Sequence, residues 1–276
     1  MKYTKKTFIP LLALLLFLAI GVILWLTSGH IFFLINFGYI GIFLCLGVFL
    51  FLRGKLYGRL ITQLGVGLYM FGFLGILMRE NMQIEGFWYF LFLGVFQAAV
   101  IHYTVAKILG PLIFGRSWCG WACWTAAVLD FLPYKIPEKQ RMAKLGVLRF
   151  ITFAFSLIFV SVLFIAEIKN LEHVMWLGFL IGNGIYYLLG IVLAFAFKDN
   201  RAFCKYLCPI TVFLKPMSYF SLLRVKPKED KCIKCGICEK SCPMNVEVSN
   251  PARSRKNATE CILCLTCTRV CPQKAL

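Results

Sequence analysis

The sequence CIKCGICEKSCP occupies residues 232–243, and CILCLTCTRVCP occupies residues 261–272. Both stretches read C-x-x-C-x-x-C-x-x-x-C-P, and every cysteine of the first recurs 29 residues later in the second. Three cysteines at this spacing can hold three irons of an iron–sulfur cube, and the fourth thiolate comes from the other run. The pattern therefore predicts two 4Fe-4S clusters with crossed ligands. One ligand set is Cys232, Cys235, Cys238 and Cys271, and the other is Cys261, Cys264, Cys267 and Cys242.

Zinc and disulfides are the competing explanations for this cysteine pattern. Structural zinc is usually held by two separated C-x-x-C pairs, so it requires neither the triple run nor the following proline. Disulfides persist in oxidising compartments, and the charge pattern described below predicts a cytoplasmic location for this segment. We therefore expect residues 232–276 to form an α+β bacterial-type two-cluster ferredoxin domain, which a basic linker at 221–231 joins to the rest of the chain.

Residues 1–220 are strongly apolar and predict a membrane domain. Hydrophobic residues make up 60% of the 276 residues, against about 45–50% in soluble proteins, and only 15% are charged. This composition excludes disorder and argues against an ordinary cytosolic globule. Helices need roughly 20 apolar residues to cross a bilayer, so we predict an all-α bundle of about six spans. The spans are 8–27, 31–52, 60–78, 87–106, 150–166 and 174–197.

The distribution of charge predicts that both termini are cytoplasmic. With six crossings, 13 basic residues precede the tail on the inner side, but only Arg79 and Lys169 lie in the outer loops. Basic residues of membrane proteins stay on the cytoplasmic side. We therefore expect a multi-pass protein of a prokaryotic inner membrane. The net charge of +18 does not require a nucleic-acid partner, because basic inner loops supply most of it, and two clusters lower the charge of the tail by roughly four units.

A second cysteine repeat lies within the membrane domain. The sequence RSWCGWAC at 116–123 and the sequence RAFCKYLC at 201–208 both read R-x-aromatic-C-x-aromatic-x-C, at an offset of 85 residues. Each motif follows a long apolar stretch, so we predict a parallel internal repeat that brings both motifs to the same depth at the cytoplasmic face. The four cysteines concerned are Cys119, Cys123, Cys204 and Cys208.

Three explanations remain open for these four membrane cysteines. They bind a third metal or cluster, they form a reversible disulfide or a copper site, which soft sulfur favours, or they are structural residues. Pro209 is typical of the first position of a helix, and a helix N-terminus lowers the pKa of a thiol. Arg116 and Arg201 have the same effect. We therefore expect low-pKa thiols at these positions, as candidate metal or redox ligands.

Two further residues of the predicted spans are candidates for lesser roles. His102 is an ionisable residue inside the fourth predicted span, and such residues are functional hypotheses by default. It either donates a hydrogen bond to a quinone carbonyl or is a neutral histidine bonded to a neighbouring helix. Cys45 stands alone in the second span and is expected to be a small core residue. We predict no catalytic residue.

The motifs GRSWCGWAC and FCKYLCP, with six apolar stretches and a two-cluster tail, resemble the NapH/NosR/MauN family of membrane-bound 4Fe-4S polyferredoxins. The resemblance covers residues 87–276 and is to the short NapH-like type, without the flavin domain. In the family both membrane motifs usually read C-x-x-x-C-P, but here Trp124 follows Cys123.

Membership of this family implies electron transfer between the quinone pool, or a soluble donor, and a partner oxidoreductase. The chain would then be the electron-transfer component of a quinol dehydrogenase-type complex. A related branch of the family, CcoG, implies an alternative function in copper reduction for oxidase assembly. A membrane redox sensor is a third hypothesis, in which loss of a cluster changes contacts with a regulatory protein.

Overall fold

The computed structural model of the protein describes residues 2–55, 57–96 and 98–276. Five of its helical stretches are long and apolar enough to cross a membrane. They are Phe8–Ser28, Phe32–Leu52, Gly58–Leu77, Ala143–Ile165 and Leu171–Phe197. Their apolar side chains point outward as well as inward: Leu26 is 73% exposed and Ile165 is 81% exposed. Such faces are suited to a bilayer, because lipid covers apolar surface that the protein itself leaves bare.

These stretches belong to five long helical elements. They are α1 (Lys2–Ser28), α2 (Phe32–Leu52), α3 (Tyr57–Leu68, continued as a π-helix by Tyr69–Leu77), α9 (Leu148–Ile165, preceded by the 3-10 turn Ala143–Val147) and α10 (Leu171–Phe197). Small residues let α2 and α3 approach closely, since a Cβ atom on Gly47 would lie 1.7 Å from Thr62 Oγ1. Close contact through glycine is typical of helix pairs in membranes.

The predicted fourth span at 87–106 is wrong. Helix α4 (Ile84–Phe92) ends in a turn at 93–96, where Gly94 has a φ of +69°. Glycine adopts this left-handed backbone without steric cost, so the chain reverses there. Helical structure resumes in α5 (Ala98–Tyr103), a π-helical stretch (Thr104–Leu109) and α6 (Gly110–Phe114). We refer to these three pieces together as helix 98–114.

The segment between α3 and helix 98–114 is re-entrant, meaning that it enters the bundle and leaves at the same end. On the way in, Asn81 donates to the carbonyl of Met175 at 2.8 Å, near the start of α10. On the way out, Trp88 donates to Ser156 at 3.2 Å in the middle of α9, and Phe92 packs on Phe164 near the end of that helix. Helix α4 therefore returns to the end of the bundle at which α3 finishes.

Short helices follow the two halves of the membrane domain and build the tail. Those next to the membrane motifs are α7 (Ser117–Trp121), α8 (Trp124–Leu129), α11 (Ala202–Tyr206) and α12 (Thr211–Tyr219). Those of the tail are α13 (Ile237–Lys240), the 3-10 turn Pro251–Arg253, α14 (Ser254–Ala258) and α15 (Thr266–Val270).

The β-strands that we expected in an α+β ferredoxin domain are not found. Residues 232–276, all of which the structure describes, contain helices, turns and irregular backbone but no strand. Lys228 N–H donates to the carbonyl of Ala275 at 2.7 Å and pairs the linker with the end of this domain. One such bond is too little for a ladder, which needs successive backbone pairs.

The tail packs directly on the membrane domain. In the linker, the N–H groups of Leu222 and Leu223 donate to the carbonyls of Leu112 and Ile113 at 2.9 and 2.8 Å. One hydrophobic cluster crosses the boundary that we predicted near residue 220. It contains Cys119 and Leu214 from the membrane domain, and Met244, Val246, Val248, Ile262 and Cys267 from the tail. The apolar core is thus continuous between the two domains.

Candidate functional site

The two cysteine loops of the tail have the same unusual backbone. Lys234 and Leu263 occupy matching positions of the repeat and have φ values of +53° and +47°. Gly236 and Leu265 also match, with φ values of +73° and +57°. Left-handed backbone at non-glycine residues costs free energy and is concentrated at functional sites. Turns of this kind direct successive N–H groups toward one point and create a cavity for an anionic group.

The structure gathers the tail cysteines around one small cavity and one hydrophobic cluster. One small cavity is lined by Cys232, Cys235, Cys238 and Cys271. The cysteines of the second predicted set pack in or against one hydrophobic cluster, and so does Cys238 of the first set. The second set is Cys242, Cys261, Cys264 and Cys267. In both sets the fourth cysteine comes from the other run. Cluster binding at these eight cysteines stays a prediction.

The donors around these cysteines fit an iron–sulfur group. Val246 N–H points at Cys242 Sγ at 3.4 Å, and Ala275 N–H points at Cys271 Sγ at 3.3 Å, again at matching positions. Hydrogen bonds to sulfur are among the protein features that tune bound clusters. Burial raises the pKa of the Cys261 thiol to about 12. The bare thiol is therefore protonated at neutral pH, and metal binding has to displace that proton.

The two membrane motifs face each other with reciprocal contacts. Arg116 and Arg201 immediately precede α7 and α11, and both side chains are completely buried. Arg116 donates to the carbonyl of Cys204 at 3.4 Å, and Arg201 donates to the carbonyl of Cys119 at 3.0 Å. Each arginine therefore binds the motif of the other half of the repeat. This exchange fixes the four membrane cysteines at the junction of the two halves.

Positive charge surrounds this junction. Five cationic side chains near it are at most 2% exposed: Lys107, Arg116, Arg149, Arg201 and Lys205. Three carboxylates pair with four of them: Glu260, Asp130 and Asp199. Among the residues that the structure describes, Lys107 has no carboxylate partner, and its Nζ lies 3.8 Å from the centre of the Trp118 ring. Two of these carboxylates also pair with less buried cations outside this set, so the five buried cations outnumber the negative charges available to them. Such a surplus is costly in a buried site unless an anionic group is bound.

Low thiol pKa values, which we expected at the membrane cysteines, are not found at Cys123, Cys204 and Cys208. Cys123 does precede α8, as the repeat predicts, but its pKa is raised by burial. Burial also raises the pKa of Cys204 to about 11, although Arg201 opposes this change. The pKa of Cys208 is raised for the same reason. Loss of hydration outweighs the nearby positive charge, so these thiols are protonated when no metal is bound.

The second tail loop is bound to the first membrane motif. Trp121 Nε1 donates to the carbonyl of Leu263 at 2.9 Å. A Cβ atom on Gly120 would lie 2.2 Å from the carbonyl oxygen of Ile262, so only glycine permits this approach. On the side of the second motif, Lys205 Nζ donates to Asn245 Oδ1 at 2.5 Å. The cysteines of the second tail set therefore lie next to the membrane cysteines.

Glu260 anchors this contact electrostatically. Its carboxylate lies 2.5 Å from Arg116 and 2.8 Å from Arg141. Lys215 and Arg149 complete the group at 2.6 and 3.5 Å. Burial opposes ionisation, yet these cations hold the pKa of the Glu260 carboxyl well below its usual range. Glu260 was not among the candidate residues predicted from the sequence, where its only distinguishing feature is its position directly before Cys261.

A cavity of about 1220 Å³ opens beside the membrane motifs, between α1, α2, α3 and helix 98–114. Its lining is mostly apolar, and it extends from the spans to Leu263 and Leu265 of the second tail loop. His102 and Trp118 line it, with their rings 4.8 Å apart. In the described part of the chain, His102 Nε2 and Trp118 Nε1 are buried without a hydrogen-bond partner. Unpaired buried polar atoms in an apolar cavity fit a ligand with a polar end.

Comparison with protein families finds iron–sulfur domains in both parts of the chain. The family described as "4Fe-4S dicluster domain" matches residues 231–276. The family described as "4Fe-4S binding domain" matches twice, at residues 86–142 and 183–228. Each of these two segments contains one membrane cysteine motif, in agreement with the internal repeat.

Comparison with individual proteins finds relatives that are 27% to 35% identical to this chain. The chain is 27% identical to uncharacterized protein MJ0750 of Methanocaldococcus jannaschii over 63% of this chain and 84% of that protein. It is 30% identical to MJ0749 of the same organism, over 55% of this chain and 61% of that protein. It is 35% identical to the methylamine utilization ferredoxin-type protein MauN of Paracoccus denitrificans, over 28% of each chain.

No solved structure matches this chain with significance. The two iron–sulfur families and the ferredoxin-type relative agree with the motifs and with the cysteine sets that the structure brings together. The chain therefore belongs to the NapH/MauN-like family of polyferredoxins.

Proposed function

We propose that this protein relays electrons between a quinone in the bilayer and a partner oxidoreductase at the cytoplasmic face. Its cofactors would be two 4Fe-4S clusters in the tail and a third redox group at the membrane cysteines. The observation that carries this proposal is the contact of the second tail loop with the first membrane motif, through Trp121 and Leu263. If the membrane domain only anchored the tail to the bilayer, the second cysteine loop of the tail would not need to pack against the first membrane cysteine motif.

We further propose six membrane crossings, with helix 98–114 as the fourth. At 1.5 Å per residue this helix is about 25 Å long, close to the roughly 30 Å of a bilayer core. The tail also contacts the end of α2 that leads into the basic connection to α3, because Arg269 donates to the carbonyl of Phe51 at 2.9 Å. Basic connections are cytoplasmic, so the tail and both termini would be cytoplasmic, as in a prokaryotic inner membrane.

The third redox group would be held by Cys119, Cys123, Cys204 and Cys208. The uncompensated positive charge at this site favours an anionic group, and a metal group bound by four thiolates carries negative charge. Within the described residues, no three histidine, cysteine or acidic side chains converge closely enough for a single metal ion.

The protein residues would hold and insulate these groups. When bound, the clusters supply reversible one-electron transfer. Arg116 and Arg201 fix the spacing of the two motifs by binding the carbonyls of Cys204 and Cys119. Trp121 and Ile262 exclude water between the membrane cysteines and the tail, because both are less than 10% exposed. Exclusion of water matters because hydration and dielectric set the redox potential of a bound cluster.

The quinone would occupy the cavity beside the motifs. Its volume of about 1220 Å³ is large enough for a ring and part of an isoprenoid tail, and its lining is apolar. His102 Nε2 and Trp118 Nε1 offer unpaired polar atoms for the carbonyl oxygens of a quinone ring.

Iron and acid-labile sulfide, quantified per chain with EPR after anaerobic purification, test the third redox group. We expect about ten to twelve irons in the wild type, and about eight in a variant with serine at all four membrane cysteines, since the tail alone accounts for two four-iron clusters. Cys45→Ser is the matched control, because Cys45 lies in α2 outside both motifs. It should leave the iron content unchanged.

The same preparations separate the proposal from the copper alternative. Eight irons in both the wild type and the four-serine variant would contradict a third iron–sulfur group. If copper then bound to the wild type but not to the four-serine variant, a copper-handling function would replace electron relay at this site. Fewer than eight irons in the wild type, with zinc in their place, would overturn the proposal for the tail as well.

A further inference from the structure

The two tail loops have the same sequence pattern but opposite surroundings. Ile262 of the second loop is 2% exposed, whereas Ile233 at the matching position of the first loop is 62% exposed. Cys235 is exposed, whereas the matching Cys264 is partly buried. In the described chain, no hydrogen bond or ion pair joins residues 231–238 to the membrane domain. The second loop is therefore sealed against the membrane motif, and the first loop is open to solvent.

The sequence difference between the loops agrees with this division. Lys234 of the first loop occupies the position of Leu263 in the second, whose carbonyl binds Trp121. Ile237 is 43% exposed, so it and Ile233 form an apolar patch over the first cysteine set. Exposed isoleucines beside a metal-binding loop have no folding role, and apolar patches with a polar rim mark sites of protein contact.

The charge at the edge of this patch indicates the chemistry of the partner. The small cavity at the first cysteine set is lined by 14 residues, of which Lys231 and Lys234 are the charged ones. Glu229 and Asp230 precede them in the linker and are exposed, but they do not line the cavity. A partner that covers Ile233 would meet two lysines first, and opposite charge around an apolar centre favours association and orients the encounter.

We propose that Lys231, Ile233, Lys234 and Ile237 form the docking surface for a soluble redox protein with an acidic rim around its own redox centre. This inference rests on the proposed function and specifies the partner of the relay. The first tail cysteine set is the contact point for that partner, and the second set contacts the membrane motif. The exposed first loop therefore serves contact with the soluble partner, and the sealed second loop serves contact with the membrane domain.

Binding of an acidic flavodoxin to the full-length protein in zwitterionic nanodiscs tests the docking surface. We expect a Kd that weakens with salt, and about tenfold or more weakening in the double variant Lys231→Glu with Lys234→Glu, since both surfaces then repel. The matched control is Arg255→Glu with Lys256→Glu, which makes the same charge change on α14 of the same domain, where both side chains are exposed. It should change the Kd less than twofold.

Two further measurements separate folding and relay from docking. The visible absorption of the clusters should be the same in both double variants, which shows that the loops still fold. Basic cytochrome c should bind the Lys231→Glu, Lys234→Glu variant more tightly than the wild type. The proposed docking surface would be contradicted if all three proteins bound flavodoxin with equal affinity. It would also be contradicted if both double variants lost affinity to the same extent. Because binding is measured without turnover, this result is independent of whether electrons reach a quinone.

Discussion

Replacing Glu260 with glutamine removes the negative charge that holds the ferredoxin domain on the membrane domain. Two of its four cationic partners, Arg116 and Arg149, are at most 1% exposed, and the Glu260 side chain is 14% exposed. Breaking a buried pair by neutralising one member costs about 3–5 kcal/mol, because the remaining charge stays buried without compensation. Glutamine keeps the shape of the side chain and one acceptor oxygen, so we expect the lower end, about 3 kcal/mol.

Limited proteolysis of the linker measures this loss. The linker at 221–231 is tied to α6 through Leu222 and Leu223, so its cleavage requires local opening. When opening and closing are fast, the cleavage rate follows the population of the open form. A cost of about 3 kcal/mol predicts cleavage roughly 150-fold faster in Glu260→Gln than in the wild type.

The control for this experiment is Glu247→Gln. Glu247 pairs with Arg253 on the surface of the same domain, where the side chains are 53% and 39% exposed. Exposed pairs contribute at most about 1 kcal/mol, so cleavage should accelerate about fivefold or less. Equal cleavage rates for the two variants would refute the reasoning, because Glu260 would then not hold the domains together.

Two glycines should resist substitution by alanine. Gly47→Ala introduces a Cβ 1.7 Å from Thr62 Oγ1, and we expect a loss of about 1–3 kcal/mol from overpacking, seen as a lower Tm in detergent. Gly178→Ala has no neighbouring atom within 4 Å and should leave the Tm unchanged or raise it, since alanine favours helix. Gly120→Ala should accelerate linker cleavage while sparing the spans, because its Cβ would lie 2.2 Å from the Ile262 carbonyl. A Gly120→Ala variant cleaved no faster than the wild type would argue against the close approach of the two domains.

Sequence patterns predicted the parts of this protein that depend on local spacing. Five of the six predicted spans correspond to helices, because a run of about 20 apolar residues has few alternatives to a helix. The remaining one, the fourth predicted span at 87–106, failed because a re-entrant segment is as apolar as a true span. Hydropathy cannot distinguish the two, and Gly94 is the residue that permits the reversal.

Long-range contacts between side chains could not be predicted from the sequence. The cysteine spacing predicted both crossed tail sets, and the 85-residue offset predicted that Cys119 and Cys204 belong to matching motifs. Neither pattern revealed that Glu260 would gather four cations, or that Lys205 would reach Asn245. The expectation of low-pKa thiols failed because helix position is visible in a sequence and the depth of burial is not.

Single-turnover oxidation by a quinone confined to the bilayer tests the central claim most directly. The protein in liposomes is reduced with dithionite and freed of excess reductant. These liposomes are then fused with liposomes that contain a long-chain quinone, and the visible absorption of the tail clusters is followed. We expect rapid reoxidation of the wild type and much slower reoxidation of the variant with serine at Cys119, Cys123, Cys204 and Cys208. Equal rates for the two proteins would contradict an electron relay through the four membrane cysteines.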